Sequence, residues 1–105
     1  MPKPDDINAA LVKGIEAVDT VINGSMTAGT TASPISTEST DINWIILYNF
    51  GTDTCYIGAS TVTTSNGLPI RPQGETPTLR VTALDVLHII SGSAGQDIRY
   101  LAGVK

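Results

Sequence analysis

Apolar residues recur along the chain with two different periods. Near the start they follow a helical spacing of three or four positions, on a stripe made of Ile7, Leu11, Ile15, Val18 and Ile22. Asp5 or Asp6 can cap the start of such a helix, and Asn23-Gly24 is a plausible stop. We therefore predict a helix of about 16 residues within an N-terminal segment, residues 1–23.

From residue 24 onward the apolar period falls to two, and Gly, Pro, Asn and Ser clusters separate short apolar runs. This pattern predicts a succession of β-strands. The predicted strands are 25–31, 42–49, 54–58, 68–70, 78–82, 86–91 and 98–101. The first of these is small and rich in threonine, which suits an edge strand. Strands at this spacing are typical of a single β-sandwich or barrel-like domain, residues 24–105, preceded by the short helix or arm. The predicted fold class is all-β.

The run from 42 to 49 is the strongest strand signal. Trp44, Ile46 and Tyr48 alternate with Ile45 and Leu47, so both faces are apolar. Such a strand belongs in the centre of a sandwich or at a subunit interface. We expect residues 50–53 to turn it into a hairpin with 54–58, and residues 92–95 to join the last two strands as a second hairpin.

Composition narrows the range of functions. The 105 residues carry a formal net charge of -4, and charged residues make up 15% of the chain. This argues against nucleic acid as a partner, because phosphate binding needs clustered cations. No secretory signal is visible and the longest apolar run, 44–48, is far too short for a membrane helix. We expect a protein made in the cytoplasm, without a membrane partner.

Catalytic and metal-binding residue types are sparse. His88 is the single histidine and Cys55 the single cysteine, so a zinc site of nitrogen and sulfur ligands cannot be assembled. Cys55 is placed as a buried small hydrophobe. The carboxylates are scattered and match no calcium-loop spacing. We expect no enzymatic activity, no cofactor and no small-molecule substrate.

The apolar stripe of the N-terminal segment needs a surface to cover it. It can pack on the chain's own β-domain, or on a partner chain or further copies around a symmetry axis. The sequence leaves these two arrangements open.

A longer pattern runs through the middle of the chain. Asn49 follows a hydrophobic strand, Tyr56-Ile57-Gly58 comes next, and 62–69 reads Val-Thr-Thr-Ser-Asn-Gly-Leu-Pro. Weaker features follow at 72–75, 87–91 and 98–101. Together these resemble a small β-module of tailed-bacteriophage virion proteins, over roughly residues 21 to 102. Cys55 stands where that family more usually has Val.

The resemblance implies a virion structural protein, above all a capsid decoration (cement) protein. Such a protein binds the outside of the head and stabilises the shell by bridging capsomers. The implied partner is the major capsid protein, the implied state is a homo-trimer, and the implied location is the surface of the virion head. The stripe of Ile7, Leu11, Ile15, Val18 and Ile22 would then form a capsid or inter-subunit interface.

Two alternatives remain at this point. A fibre or tail module for attachment to the host surface would expose aromatic residues at its loops, and Phe50 and Tyr56 are the candidates. A carbohydrate-binding module would need several coplanar aromatic rings. The chain has five aromatic residues, and we expect Trp44 and Tyr48 to be buried.

Overall fold

Residues 20–105, the part of the chain that the computed structural model describes, form seven strands and no helix. The prediction of an all-β fold is therefore confirmed. In chain order the strands are β1 (Thr20–Ala28), β2 (Ser33–Pro34), β3 (Ile42–Asn49), β4 (Cys55–Gly58), β5 (Leu68–Ile70), β6 (His88–Ser91) and β7 (Gln96–Val104).

The strands form two antiparallel sheets that pack against each other. The first sheet has the order β1-β7-β3, and the second has the order β2-β6-β4-β5. The core between them consists of small and aliphatic side chains. Its members are Ala28, Ile35, Ile42, Ile45, Leu47, Cys55, Ile57, Ile70, Leu84, Leu87, Ile89, Ile98 and Ala102.

β3 lies in the first sheet with β7 on one side. The register shifts between Ile42 and Trp44, so Asn43 forms a β-bulge and the side chains after it alternate regularly. Ile45 and Leu47 face the core and are fully buried. The prediction of Cys55 as a buried small hydrophobe is confirmed, since it is 0% exposed within β4.

The other side of β3 is covered by an irregular segment, residues 73–84. Ile45 and Leu79 exchange backbone hydrogen bonds of 2.9 and 2.8 Å, and the Thr76 N–H donates to the Leu47 carbonyl at 2.9 Å. The predicted strand 78–82 is therefore wrong as a regular element. Residues 78–82 contribute one isolated bridge, at Leu79, and Pro77 just before them cannot donate a ladder hydrogen bond.

β1 begins earlier than the sequence predicts. Ile22, which we assigned to the end of the N-terminal helix, lies inside this strand and is half-buried against the core. Three consecutive residues with β-branched side chains, Thr20, Val21 and Ile22, favour the extended backbone there. The remainder of the predicted helix, with Ile7, Leu11, Ile15 and Val18, lies outside the described residues.

Neither predicted hairpin forms. β3 belongs to the first sheet and β4 to the second, and β6 and β7 are divided in the same way. Residues 50–54 and 92–95 therefore cross between the sheets. Because Asn49 is paired with Ile98 and Cys55 with Ser91, both crossings lie at one end of the sandwich, which we name the crossover end.

Buried amide side chains hold the crossover end together. The Asn49 Nδ2 donates to the carbonyl oxygens of Asp53 and Ile70, both at 2.8 Å, and its Oδ1 accepts from the Gly51 N–H at 2.9 Å. The Gln96 Oε1 accepts from the N–H groups of Thr52 and Asp53 at 2.8 and 2.9 Å. Position 51 must be glycine, because a Cβ there would collide with the Gln96 side chain.

Candidate interaction surface

The side of the first sheet that points away from the core carries a row of apolar side chains. Between β3 and β7, the register places Ile46 opposite Leu101, Tyr48 opposite Arg99, and Trp44 opposite Gly103. Between β7 and β1, Gly103 lies opposite Val21. Phe50 continues this row just beyond β3. We name this surface the outer face and define it by Val21, Trp44, Ile46, Tyr48, Phe50, Arg99 and Leu101.

Several large apolar side chains of the outer face are exposed. Val21 is 56% exposed, Phe50 is 51% exposed and Leu101 is 42% exposed, while Ile46 and Tyr48 are half-buried. Single exposed apolar residues are common on proteins, but neighbouring ones on one face mark an interaction site. Trp44 differs from the others because it is only 8% exposed.

Tyr48, Phe50 and Arg99 form a compact cluster on this face. The rings of Tyr48 and Phe50 meet edge to face with centroids 5.4 Å apart, and the Arg99 guanidinium lies 4.9 Å above the Phe50 ring. Asp97 pairs with Arg99 at 3.0 Å and raises the pKa of that guanidinium. Tyrosine and arginine are the residue types that dominate binding energy in protein interfaces.

A shallow groove of about 320 Å³ lies beside this cluster. Its walls come from β3, β7 and the segment that covers the free side of β3, and its lining residues are Ile46, Tyr48, Glu75, Arg99, Tyr100 and Leu101. Glu75 and Arg99 place opposite charges on the rim of a mainly apolar depression. Phe50 lies beside the groove, because its ring contacts Tyr48 and Arg99 in the lining, and it is half exposed.

The sequence identified only part of this surface. The apolar second face of 42–49 predicted a buried or interface role for Trp44, Ile46 and Tyr48, and Phe50 was a candidate exposed aromatic. Tyr56, the other candidate, is half-buried in β4. Val21 and Leu101 were not recognised, since nothing local distinguishes them from core residues. Of the predicted interface stripe, Ile22 points toward the core rather than the outer face.

The residues considered for chemistry lie apart from the outer face. His88 is half-buried in β6, where its Nδ1 lies 3.3 Å from the Val86 carbonyl oxygen. Burial raises the pKa of the Cys55 thiol, a hydrogen bond with Ser91 opposes this, and the Asp53 charge adds to it. Within residues 20–105 no group of three His, Cys, Asp or Glu side chains could hold a metal ion. In the same range no helix is long and apolar enough to cross a membrane.

Comparisons with known proteins add one structural likeness. No family model matches the chain, and no curated protein matches it. A solved structure described as "Bacillus endospore appendages form a novel family of disulfide-linked pili" matches with a TM-score of 0.48 and 19% identity. The match covers 82% of this chain and 87% of that one. A likeness this distant assigns no function to the present chain.

The expected function must nevertheless be corrected. The structure that matches comes from a bacterial endospore appendage, not from a phage capsid, a tail fibre or a carbohydrate-binding module. In this structure the residues at 49–69 form the end of β3, the strand β4 and the turns around it. Capsid decoration, capsid stabilisation and the two alternatives are therefore not carried further. The expected location on a virion head belonged to that interpretation and stays a prediction.

Proposed function

We propose that the protein is a structural subunit that acts by binding further copies of itself, without enzymatic chemistry of its own. The observation that carries this proposal is the outer face, where exposed apolar side chains lie next to a groove on the same surface. A second copy of the chain is the occupant that we assign to this groove.

The exposed side chains of the outer face supply the driving force. Removing Phe50, Val21 and Leu101 from water is favourable in proportion to the apolar area buried. The aromatic pair adds rigid contact area, because each ring loses little conformational freedom on binding. The charged side chains that β7 contributes to this face, Asp97 and Arg99, already pair with each other at 3.0 Å, so covering the face leaves neither charge alone.

The shape of the outer face favours a copy of the same chain as partner. Phe50 projects beside the groove lined by Ile46, Tyr48 and Leu101. The Phe50 ring of one copy can therefore enter the groove of the next, so that a single surface provides both the projection and its receptor. The rim charges also complement each other, since Arg99 of one copy can approach Glu75 of the other.

This arrangement is compatible with more than one closed symmetry. Reciprocal insertion gives a two-fold dimer, and sequential insertion around an axis gives a ring. The homo-trimer expected from the sequence stays a prediction, which a mass measurement decides.

Light scattering coupled to size exclusion tests the proposal. The parent protein should elute with the mass of two or more chains, and Leu101→Lys should lower that mass by removing every contact that is made through the outer face. Leu68→Lys is the matched control, because Leu68 is 54% exposed on β5 in the other sheet. Circular dichroism confirms that each variant is folded.

Two results would overturn the proposal. One is a parent protein that stays monomeric at its highest soluble concentration. The other is a reduction in mass that Leu68→Lys produces as strongly as Leu101→Lys, since this would reflect added charge rather than the outer face.

A further inference from the structure

The two sheets have four edges, and three of them are protected against pairing with another chain. The free side of β3 is covered by residues 73–84 through backbone hydrogen bonds. β2 has two residues and β5 has three, and each contains a proline, Pro34 or Pro69, which cannot donate a ladder hydrogen bond. Short strands, prolines and covering segments are the usual ways in which proteins block edges.

Within the part of the chain that the structure describes, the fourth edge, β1, has none of these protections. Its nine residues contain no charge and no proline, and they pair with β7 in continuous register without a bulge. Within residues 20–105, no backbone group pairs with the side of β1 that faces away from β7. A long, neutral and regular edge of this kind is a template for strand addition.

From this contrast between the edges, we propose that β1 pairs antiparallel with β1 of a second copy about a two-fold axis at Gly24. The two first sheets then form one continuous six-stranded sheet in the order β3-β7-β1-β1-β7-β3. This inference does not depend on the outer face, because it uses backbone groups at the edge of the sheet rather than side chains on its surface.

The register centred on Gly24 pairs all nine residues of each strand. Thr20 then faces Ala28, and Asn23 faces Ser25 of the second copy. A centre one residue away would leave two residues of each strand unpaired. An antiparallel two-fold centred on any residue also keeps core-facing side chains on the core side, so the sheet remains amphipathic across the contact.

Pairing in this register also improves the cover of the core. Ile22 and Met26 face the core from β1 but are only partly buried, and no strand of residues 20–105 lies beyond them. In the proposed dimer Ile22 of one copy lies directly opposite Met26 of the other, so both lose exposed area. The contact contains no ionisable side chain, and the net charge of -4 on each copy therefore opposes it little.

Disulfide cross-linking tests both the contact and its register. In the proposed dimer residues 23 and 25 of opposite copies are direct neighbours, within the Cα separation that a disulfide spans. The double variant N23C/S25C should give a covalent dimer under mild oxidation. Each single variant should give none, because residues 23 and 23, or 25 and 25, are then offset by two positions and lie too far apart.

The pattern across the three variants decides the outcome. Absence of covalent dimer in the double variant would overturn the pairing. Equal cross-linking in a single variant would overturn the Gly24 register, since Asn23→Cys alone reports a centre at 23 and Ser25→Cys alone a centre at 25. The parent controls for Cys55, which is buried and stays unreactive.

The same experiment separates this inference from the proposed function. Adding Leu101→Lys to N23C/S25C should leave the covalent dimer in place, because the edge contact does not use the outer face. Cross-linking that disappears with Leu101→Lys would overturn β1 as an interface of its own. If instead Leu101→Lys has no effect on the mass of the parent while the edge still cross-links, the proposed function fails and this inference stands.

Discussion

At the crossover end, the polar groups that the fold buries are satisfied by the chain itself. The outer face and the β1 edge differ, because among residues 20–105 they leave side chains uncovered and backbone groups without a partner. The Asn49 amide uses both its donor and its acceptor within five residues and across to Ile70. By contrast, Phe50 and Leu101 expose apolar area, and no other described strand pairs with the outer row of backbone groups of β1. The first region is complete in one copy of the chain, and we propose that a second copy completes the other.

This difference teaches where a substitution should act. Changes at the crossover end should reduce the stability of the single chain, because its hydrogen bonds have no other source. Changes on the outer face or at the β1 edge should alter association and leave the free energy of unfolding nearly unchanged. The predictions below test this division, beginning with the residue for which the expected cost is greatest.

Trp44 tests the division between residues that stabilise the single chain and residues that act in association. It belongs to the outer face, yet it is 8% exposed and so is buried within the single chain. We expect Trp44→Ala to lower the free energy of unfolding by about 3–5 kcal/mol, as for other large buried side chains. Leu101→Ala, on the same face but exposed, should change it by about 0.5 kcal/mol or less.

Urea unfolding of the two variants measures this contrast. A Trp44→Ala midpoint as close to the parent as that of Leu101→Ala would assign Trp44 to the binding surface, and the boundary between the two regions would have to be redrawn.

Asn49 sharpens the comparison from the other side. Asn49→Ala removes the partners of the Gly51 N–H and of the carbonyl oxygens of Asp53 and Ile70. Buried groups left without hydrogen bonds cost about 1–3 kcal/mol each, so we expect a total loss of about 3 kcal/mol or more. Asn66→Ala is the control, because the Asn66 amide accepts from the Thr63 N–H at an exposed turn. Its expected cost is about 1 kcal/mol or less.

Both asparagine variants can be compared in one series of urea titrations. Equal losses for Asn49→Ala and Asn66→Ala would mean that water replaces the amide at the crossover end, and that this region is less closed than its hydrogen bonds indicate.

Asn49 also illustrates which parts of the fold were predictable. The all-β class and the strand from Ile42 to Asn49 follow from alternation and turn residues, which are local signals. Residues 50–54 cross to the other sheet instead of turning back as a hairpin. Two of their N–H groups are bound there by the Gln96 Oε1, which lies 44 and 43 positions later in the chain. No local pattern contains that information, so the sheet order could not be predicted.

The same reasoning applies to the candidate surface. Ile46 and Tyr48 were detectable because a strand with two apolar faces needs cover on both. Leu101 was not, because it acquires its role only when β7 places it beside Ile46. The edge position of β1 was predicted for residues 25–31, but its first five residues, 20–24, were missed for a third reason. They follow directly on a segment with helical spacing, and Ile22 continues that spacing.

Cys55, at the start of β4, is the position at the crossover end where we expect the smallest effect of a substitution. Cys55→Val should change the free energy of unfolding near pH 7 by about 1 kcal/mol or less, because the replacement is apolar and of similar volume. At higher pH the two proteins should diverge. Burial raises the pKa of the thiol in the folded chain, opposed by the hydrogen bond with Ser91 and assisted by the Asp53 charge.

The direction of that divergence follows from proton linkage. The folded chain holds the thiol proton more tightly than the unfolded chain, in which the thiol has a pKa of about 8.5. The contribution of the protonated thiol to the free energy of unfolding is therefore complete below that pKa. It is lost as the pH rises through the higher pKa that the thiol has in the folded chain. Between about pH 7 and about pH 10, the urea midpoint should fall further for the parent than for Cys55→Val, because only the parent has the thiol. All other ionisable groups are the same in the two proteins, so the comparison removes their effect. If the urea midpoints of the two proteins fall equally, the thiol has the same pKa in the folded and unfolded chains. The crossover end would then be open to solvent beside β4.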